Sequence, residues 1–149
     1  MRVYLVVIDE TAEAHVALRF AARRAARTNG TVHLLAIVPR QAFSAFGTIQ
    51  ATIEEEARDR AEVLAHSAAG ELMIEGGNVP QIAVIVGDGK QVITEYLAQH
   101  PEVAALVLGA AAGVPGPLVS HFSAHAGNMP CPLFIVPGTL SDEEIDRLS

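Results

Sequence analysis

Short apolar runs that alternate with longer helical segments constrain the fold of this chain more than any other feature. Residues 3–8 are apolar without interruption, which is typical of a strand buried on both faces of a parallel sheet. Helix-forming segments separate this run from the later ones, as in the crossover unit of a parallel sheet. The strands are predicted at 3–8, 32–38, 82–86, 103–108 and 133–136, and the helices at about 12–28, 51–72, 90–100 and 117–127. We therefore expect an α/β fold with one doubly wound, five-stranded parallel sheet and helices on both faces.

The composition fits one domain with an aliphatic core. Of the 149 residues, 50% are hydrophobic, only 5% are aromatic and none is Trp, so the core must be built from Ala, Val, Leu and Ile. We expect an α/β domain over residues 1–138 and a short helical tail over 139–149. In the tail, Ser141 and Glu144 have the spacing of a capping box. Ile145 and Leu148 then need a surface to cover.

The charge balance excludes several partners. A net charge of -7 provides no electrostatic footprint for nucleic acid or an anionic membrane. Arg19, Arg23 and Arg27 recur at the spacing of one solvated helix face. The single cysteine, Cys131, cannot form an intramolecular disulfide and is expected to be a small buried residue. The six-residue apolar run near the start is too short for a signal peptide or a membrane span, so we expect a cytoplasmic protein.

A glycine-containing loop follows the fourth predicted strand. Its glycines are Gly109, Gly113 and Gly116. A strand, a glycine loop and a helix in this order direct free N–H groups and a helix dipole at an anion. However, Pro115 and Pro117 lack an N–H, and no Lys or Arg lies between Lys90 and Arg147. The loop therefore favours turns and close packing over a triphosphate site.

The ordered segments are similar to the universal stress protein family over residues 2–138. VVIDETAEAHVALRFAARRAARTNGTVHLLAIVP resembles the family's opening strand that ends in an aspartate, its helix and its second strand. VIVGDGKQVITEYLAQHPEVAALVLGAAAG resembles its middle signature. The resemblance implies the strand order 3-2-1-4-5, with ligand sites at the strand carboxyl ends near the point where the order reverses.

The resemblance also implies candidate site residues. Asp9 matches the aspartate that contacts the base and ribose, Ile37 the second-strand position near the base, and Gly109 the backbone that approaches the ligand. The family's Gly-x2-Gly-x9-Gly-Ser/Thr motif is absent, because Ala112 and Phe122–Ser123 occupy its later positions. The candidate nucleotide-binding residues are Asp9, Ile37, Gly109, Gly113, Gly116 and Ser120.

Several polar residues have an ordinary alternative role. Asp9 could equally cap the first helix or bond loop amides, and Asp88, in a Gly-Asp-Gly turn, is predicted to cap the third helix. His121 and His125 lie four residues apart on a predicted helix, but a pair is too few ligands for a metal site. We interpret them as surface histidines that could add positive charge near the loop at low pH. Two phenylalanines, at 43 and 46, lie in a segment predicted to pack on the body or to act as a lid.

Three functional hypotheses follow. The first is a non-catalytic regulatory or stress-response protein with an altered adenine-nucleotide site, for which AMP, or ATP with magnesium, is the candidate ligand. It would act as a homodimer through the apolar edge strand Leu133–Pro137, with Ile145 and Leu148 adding to the contact. The second is an enzyme that slowly hydrolyses ATP or transfers an adenylyl or phosphoryl group. The third is a protein-interaction module without a small ligand.

Overall fold

The computed structural model describes residues 1–40, 47–74 and 77–149. The predicted packing or lid role of Phe43 and Phe46 concerns a segment outside these residues. No helix in the described ranges is long and apolar enough to span a lipid bilayer.

Five parallel strands form one sheet in the order β3-β2-β1-β4-β5. The strands are β1 (Val3–Ile8), β2 (Thr31–Val38), β3 (Gln81–Val86), β4 (Val103–Ala110) and β5 (Leu133–Pro137). The fold class and the strand order are thus confirmed. The first strand is central, pairing with β2 on one side and β4 on the other. The direction of winding changes between β1 and β4, and such a switch point opens a crevice at the strand carboxyl ends.

In the described ranges, five α-helices connect or follow the strands. They are α1 (Ala12–Arg27), α2 (Gly47–Ile74), α3 (Gly89–Gln99), α4 (Pro117–Ala124) and α5 (Asp142–Leu148). The hydroxyl of Thr11 accepts a 3.2 Å bond from the N–H of Ala14 and caps α1. The fourth helix ends at Ala124, earlier than predicted, because a 3-10 turn (Ala126–Asn128) follows it.

The two faces of the sheet carry separate aliphatic cores. Helices α1, α2 and α5 cover one face, and α3 and α4 cover the other. Strand residues alternate between the two, so that Val6 faces α1 while Leu5 faces α3. Both side chains are fully buried, as the uninterrupted apolar run of β1 predicts.

The inward face of α2 matches the apolar pattern only in part. The apolar residues of this segment predict that Ile53, Ala57, Val63 and Leu64 turn inward. Ala57 and Leu64 are half-buried, but Ile53 and Val63 are 43% and 71% exposed. The buried residues among the described side chains of this helix are Ala65, Ala68, Ala69 and Leu72. They lie three or four positions apart and so share one face, whereas Val63 lies two positions before Ala65, on the opposite side of the helix.

The arginine face of α1 is not a free solvated surface, because α5 packs across it. Nη2 of Arg19 and Nε of Arg23 lie 2.9 Å and 3.1 Å from the carboxylate oxygens of Asp146. The guanidinium of Arg27 donates to the backbone carbonyl of Asp146. Because Arg19 donates to it, the pKa of the Asp146 carboxyl lies below its usual range. A spacing that suggests a solvated face therefore also fits a partner helix.

The tail is anchored by its own cap and by one buried side chain. Ser141 Oγ accepts from the N–H of Glu144 at 3.2 Å, and Glu144 Oε1 accepts from the N–H of Ser141 at 3.1 Å, which confirms the capping box. Ile145 is only 1% exposed and joins the core beneath α1. The expectation that Ile145 adds to a dimer contact is therefore wrong, whereas Leu148 remains 52% exposed.

Candidate functional site

Three cavities that Asp9 lines lie at the carboxyl-terminal edge of the described sheet, and two of them meet at Leu118. A crevice of about 160 Å³ lies between the ends of β1 and β4. A larger cleft of about 450 Å³ opens beside it, between the ends of β1, β2 and β3. Asp9 and Leu118 line both cavities. The candidate site is therefore a cleft with a small side chamber.

Asp9 organises the turn between β1 and α1. Its Oδ1 accepts a 2.8 Å bond from the N–H of Thr11 and a second bond from the hydroxyl of the same residue. Thr11 in turn caps α1, so the aspartate supports the cap without capping the helix itself. Since Asp9 is exposed and borders both cavities, its carboxylate can also accept from a ligand.

Gly109 lies against the first turn of α1. A Cβ at this position would stand 2.1 Å from the carbonyl oxygen of Glu13. At Gly138, on the adjacent strand end, a Cβ would stand 2.6 Å from the Cβ of the same glutamate. The close approach that Gly109 permits is thus made by the protein's own helix, although the residue also lines the crevice.

The other loop glycines form turns. Gly113 and Gly116 have φ angles of +83° and +102°, a region that side chains with a Cβ rarely adopt. Gly116 accepts from the N–H of Ser120 at the start of α4 and lines the crevice. Among the described residues, those that line the two cavities include neither Gly113 nor Ser120. The structure brings Asp9, Gly109 and Gly116 together and places Ile37 in the neighbouring cleft.

Leu118 separates the crevice from the cleft. A Cβ on Gly89 would stand 3.1 Å from Cδ2 of Leu118 and 3.8 Å from Cδ1 of Ile37. The side chain of Leu118 therefore reaches from α4 across to the turn before α3. No motif in the sequence singles out this leucine, because its role depends on two segments about thirty residues apart meeting at the sheet edge.

Positive charge reaches the cleft from segments other than the glycine loop. Arg40 follows β2, and Lys90 lies in the first turn of α3, where both line the cleft. Sequence reasoning considered only the loop after β4 and missed these two cations. A usable signal was available, since each follows a strand by two to four residues and parallel strand ends converge at one edge.

Asp88 does not cap α3 as predicted. It occupies the N-cap position, but its side chain makes no capping hydrogen bond. Its carbonyl accepts from the N–H of Val92 at 2.8 Å, so the backbone alone begins the helix. The amino-terminal end of α3 thus brings Lys90, the helix dipole and the uncapped carboxylate of Asp88 to the cleft.

His121 and His125 form a surface pair. Their ring centroids lie 4.4 Å apart, and Nδ1 of His125 donates to the carbonyl of His121 at 2.7 Å. Partial desolvation, then His125 and Lys90, lower the pKa of His121, while Asp88 opposes the shift. Within the described parts of the chain, no group of three or more His, Cys, Asp or Glu side chains is arranged to hold a metal ion.

Cys131 is half-buried. Burial raises the pKa of its thiol, which leaves the thiol protonated and unreactive at neutral pH.

Comparison with known proteins identifies the family. The sequence model of the universal stress protein family matches residues 1–137. The chain belongs to this family. Universal stress protein UspA from Lactobacillus plantarum shares 20% identity at a TM-score of 0.80, with 91% of this chain and 97% of that chain covered.

Two further solved structures of universal stress proteins contain nucleotides. One, in complex with cAMP, shares 13% identity at a TM-score of 0.63, covering 91% of this chain and 96% of that chain. The other, from Archaeoglobus fulgidus in complex with dAMP, shares 16% identity at a TM-score of 0.58, covering 91% and 97%. At these identities the similarity demonstrates the fold alone. A search of curated proteins found no match.

Proposed function

We propose that this universal stress protein is a non-catalytic regulatory protein that binds an adenine nucleotide with a single phosphate group. The cleft of about 450 Å³ at the ends of β1, β2 and β3 carries the proposal. Its size suits a small molecule. Its lining combines apolar side chains with two carboxylates and two cations: Ile37, Leu118, Asp9, Asp88, Arg40 and Lys90.

Each part of a nucleotide has a chemical counterpart in this lining. Ile37 and Leu118 offer apolar surface to the faces of an adenine ring. The Asp9 carboxylate can accept from a ribose hydroxyl or the base amine. Arg40 and Lys90 can pair with a phosphate, assisted by the amino-terminal end of α3.

The small size of the side chamber favours a ligand with one phosphate group over a triphosphate. It holds only about 160 Å³, and Pro117 removes an N–H from the first turn of α4. The altered loop after β4 thus offers few donors for a triphosphate. Other universal stress proteins have been crystallised with cAMP and dAMP, which are ligands of the size proposed here.

Isothermal titration with AMP, cAMP, ATP plus magnesium, and adenosine tests this function. A charge-assisted hydrogen bond contributes about 1.5 kcal/mol or more, so Lys90→Ala should weaken AMP binding by about tenfold. Adenosine binding should be unchanged in the same variant. Arg58→Ala is the matched control, because Arg58 is exposed on α2 and pairs with Glu62. If none of the four compounds bound, the result would favour an interaction module without a small ligand.

The non-catalytic part of the proposal has its own assay. Phosphate release from ATP plus magnesium is followed in the purified protein and in Asp9→Ala. We expect no release above the rate in buffer. Slow release that disappears in Asp9→Ala would instead support an ATP-hydrolysing enzyme.

The proposed working form is a homodimer formed through β5. This strand lies at one end of the strand order and pairs with β4 along one side. Unpaired edge strands tend to pair with another chain, and Ile135 on β5 is 41% exposed. Sedimentation should show a dimer that Ile135→Lys dissociates and Val79→Lys does not, since Val79 is exposed far from β5, just before β3. A monomeric wild-type protein would refute the dimer and leave the nucleotide proposal standing.

A further inference from the structure

Three aromatic rings form a cluster near the amino-terminal end of the sheet, away from the candidate cleft. The ring cluster consists of His33 on β2 and of Tyr96 and His100 at the carboxyl-terminal end of α3. The rings of Tyr96 and His100 stack with centroids 3.9 Å apart. The ring of His33 stands perpendicular to both, with centroids at 6.0 Å and 5.9 Å.

One buried hydrogen bond joins the strand to the helix. The hydroxyl of Tyr96 lies 2.8 Å from Nδ1 of His33. These side chains are 6% and 3% exposed, respectively. His100 Nδ1 donates to the carbonyl of Tyr96 at 2.9 Å, which orients the stacked ring. The cluster thus holds the last turns of α3 against β2.

The surroundings of His33 oppose a positive charge. Its partners across the sheet, Leu5 and Gln81, are uncharged. The titratable groups that act on it come from α3 and the following turn. Burial lowers the pKa of His33, the nearby Glu102 raises it, and His100 lowers it further.

We propose that the ring cluster is an acid-sensitive clamp that holds α3 on the sheet. Nδ1 of neutral His33 can accept a hydrogen bond from the hydroxyl of Tyr96. Protonated His33 donates from both nitrogens, so the Tyr96 hydroxyl must turn its proton away. The pair then holds a buried positive charge that the nearby Glu102 offsets only in part, and such burial is costly. Protonation therefore loosens the contact between α3 and β2.

The direction of the pH effect follows from linkage. An unfolded histidine has a pKa of about 6.5, and that of folded His33 is lower. The stabilisation is therefore complete above about pH 6.5 and is lost as the pH falls through the folded pKa. One proton taken up on unfolding raises the unfolding constant by up to about tenfold per pH unit. The carboxyls of α5 titrate in a more acidic window, because the pKa values of Glu144 and Asp146 are lowered.

An NMR titration of the histidine ring protons tests the first step directly. His33 should titrate below the ordinary histidine pKa of about 6.5. The 15N shifts should also show neutral His33 with its proton on Nε2. A His33 midpoint at or above about 6.5 would overturn the proposal. This measurement uses the wild-type protein and does not depend on a variant that folds.

Urea unfolding between about pH 7.5 and 5.5 tests the consequence. His33→Gln keeps a hydrogen-bonding group towards Tyr96 but cannot titrate, so its unfolding constant should vary less with pH than that of the wild type. His66→Gln is the matched control and should keep the wild-type slope. Hydrogen exchange should show α3 losing protection before α1 as the pH falls. A wild-type slope in His33→Gln, or uniform loss of protection, would refute the clamp.

Discussion

Replacing Gly109 by alanine separates the two roles open to this glycine, which are helix packing and ligand approach. The added Cβ would stand 2.1 Å from the carbonyl oxygen and 2.5 Å from the carbonyl carbon of Glu13. Both are backbone atoms, so no rotamer change relieves the overlap and the start of α1 must move. Overpacking costs about 1–3 kcal/mol, and we expect Gly109→Ala to lie near about 3 kcal/mol at the top of this range.

Two further glycines calibrate the measurement. For a chain of this size, each kcal/mol of lost stability lowers Tm by about 3 °C, so Gly109→Ala should lower Tm by about 9 °C. Gly113→Ala meets no described atom within 4 Å, but its φ of +83° costs about 1–2 kcal/mol. Gly127→Ala meets no described atom within 4 Å either and has no positive φ, so its Tm should stay close to wild type.

Thermal and urea unfolding of the three variants, each with and without AMP, provide the decisive comparison. The packing role predicts a large loss of stability in Gly109→Ala that is present without any ligand. If Gly109→Ala instead melted like Gly127→Ala and lost only the stabilisation by AMP, the contact with Glu13 would not explain the glycine. The residue would then act by admitting the ligand.

Three other predictions concern the tail and the ring cluster. Ile145→Ala should destabilise the protein by about 3 kcal/mol in urea unfolding, whereas Leu148→Ala, at an exposed position, should change stability by less than about 0.5 kcal/mol. Ser141→Ala removes the capping box and should cost about 1 kcal/mol in the same assay. Burial raises the pKa of Tyr96, so its contribution to stability is present below pH 10 and is lost as the pH rises through the folded pKa. Tyr96→Phe should therefore reduce the loss of stability in alkaline urea titrations.

The sheet was predictable because its signal is local. Each strand is a mainly apolar run, and each run stands out from its flanks without knowledge of distant residues. The strand order, which depends on long-range pairing, came from the family resemblance. The fourth strand extends to Ala110, beyond its predicted end, because its last residue pairs with Pro137 on β5. Such an extension depends on a partner strand.

The contacts between distant segments were not predictable from local pattern. Arginines at positions 19, 23 and 27 share a face whether water or α5 covers it, and only the folded chain shows Asp146 beside them. Likewise, the large apolar residues of α2 were expected to face the sheet because they are apolar. The helix instead buries its alanine face, and small side chains allow a helix to lie closer to the sheet. In both cases composition identifies a surface but not what lies against it.

Only part of the candidate site was predictable, because the rest depends on contacts between distant segments. Asp9 and Ile37 follow from the family resemblance and line the cleft. Arg40 and Lys90 required the convergence of strand ends, and Leu118 required the packing of α4 against the turn before α3. The pattern of the glycine loop is typical of an anion site, yet its first glycine, Gly109, mainly allows the first turn of α1 to approach the strand.

Helix α3 carries residues of both the candidate cleft and the ring cluster. Its first turn provides Lys90 to the cleft, and its last turns carry Tyr96 and His100 in the ring cluster. At a rise of about 1.5 Å per residue, its 11 residues place these ends about 16 Å apart on one rigid element. A ligand that holds the first turn should therefore oppose loosening of the last turns, since binding the native state raises the free energy of every opening that disrupts the site. By the reciprocity of linkage, acid that loosens α3 should weaken the ligand's binding by the same factor.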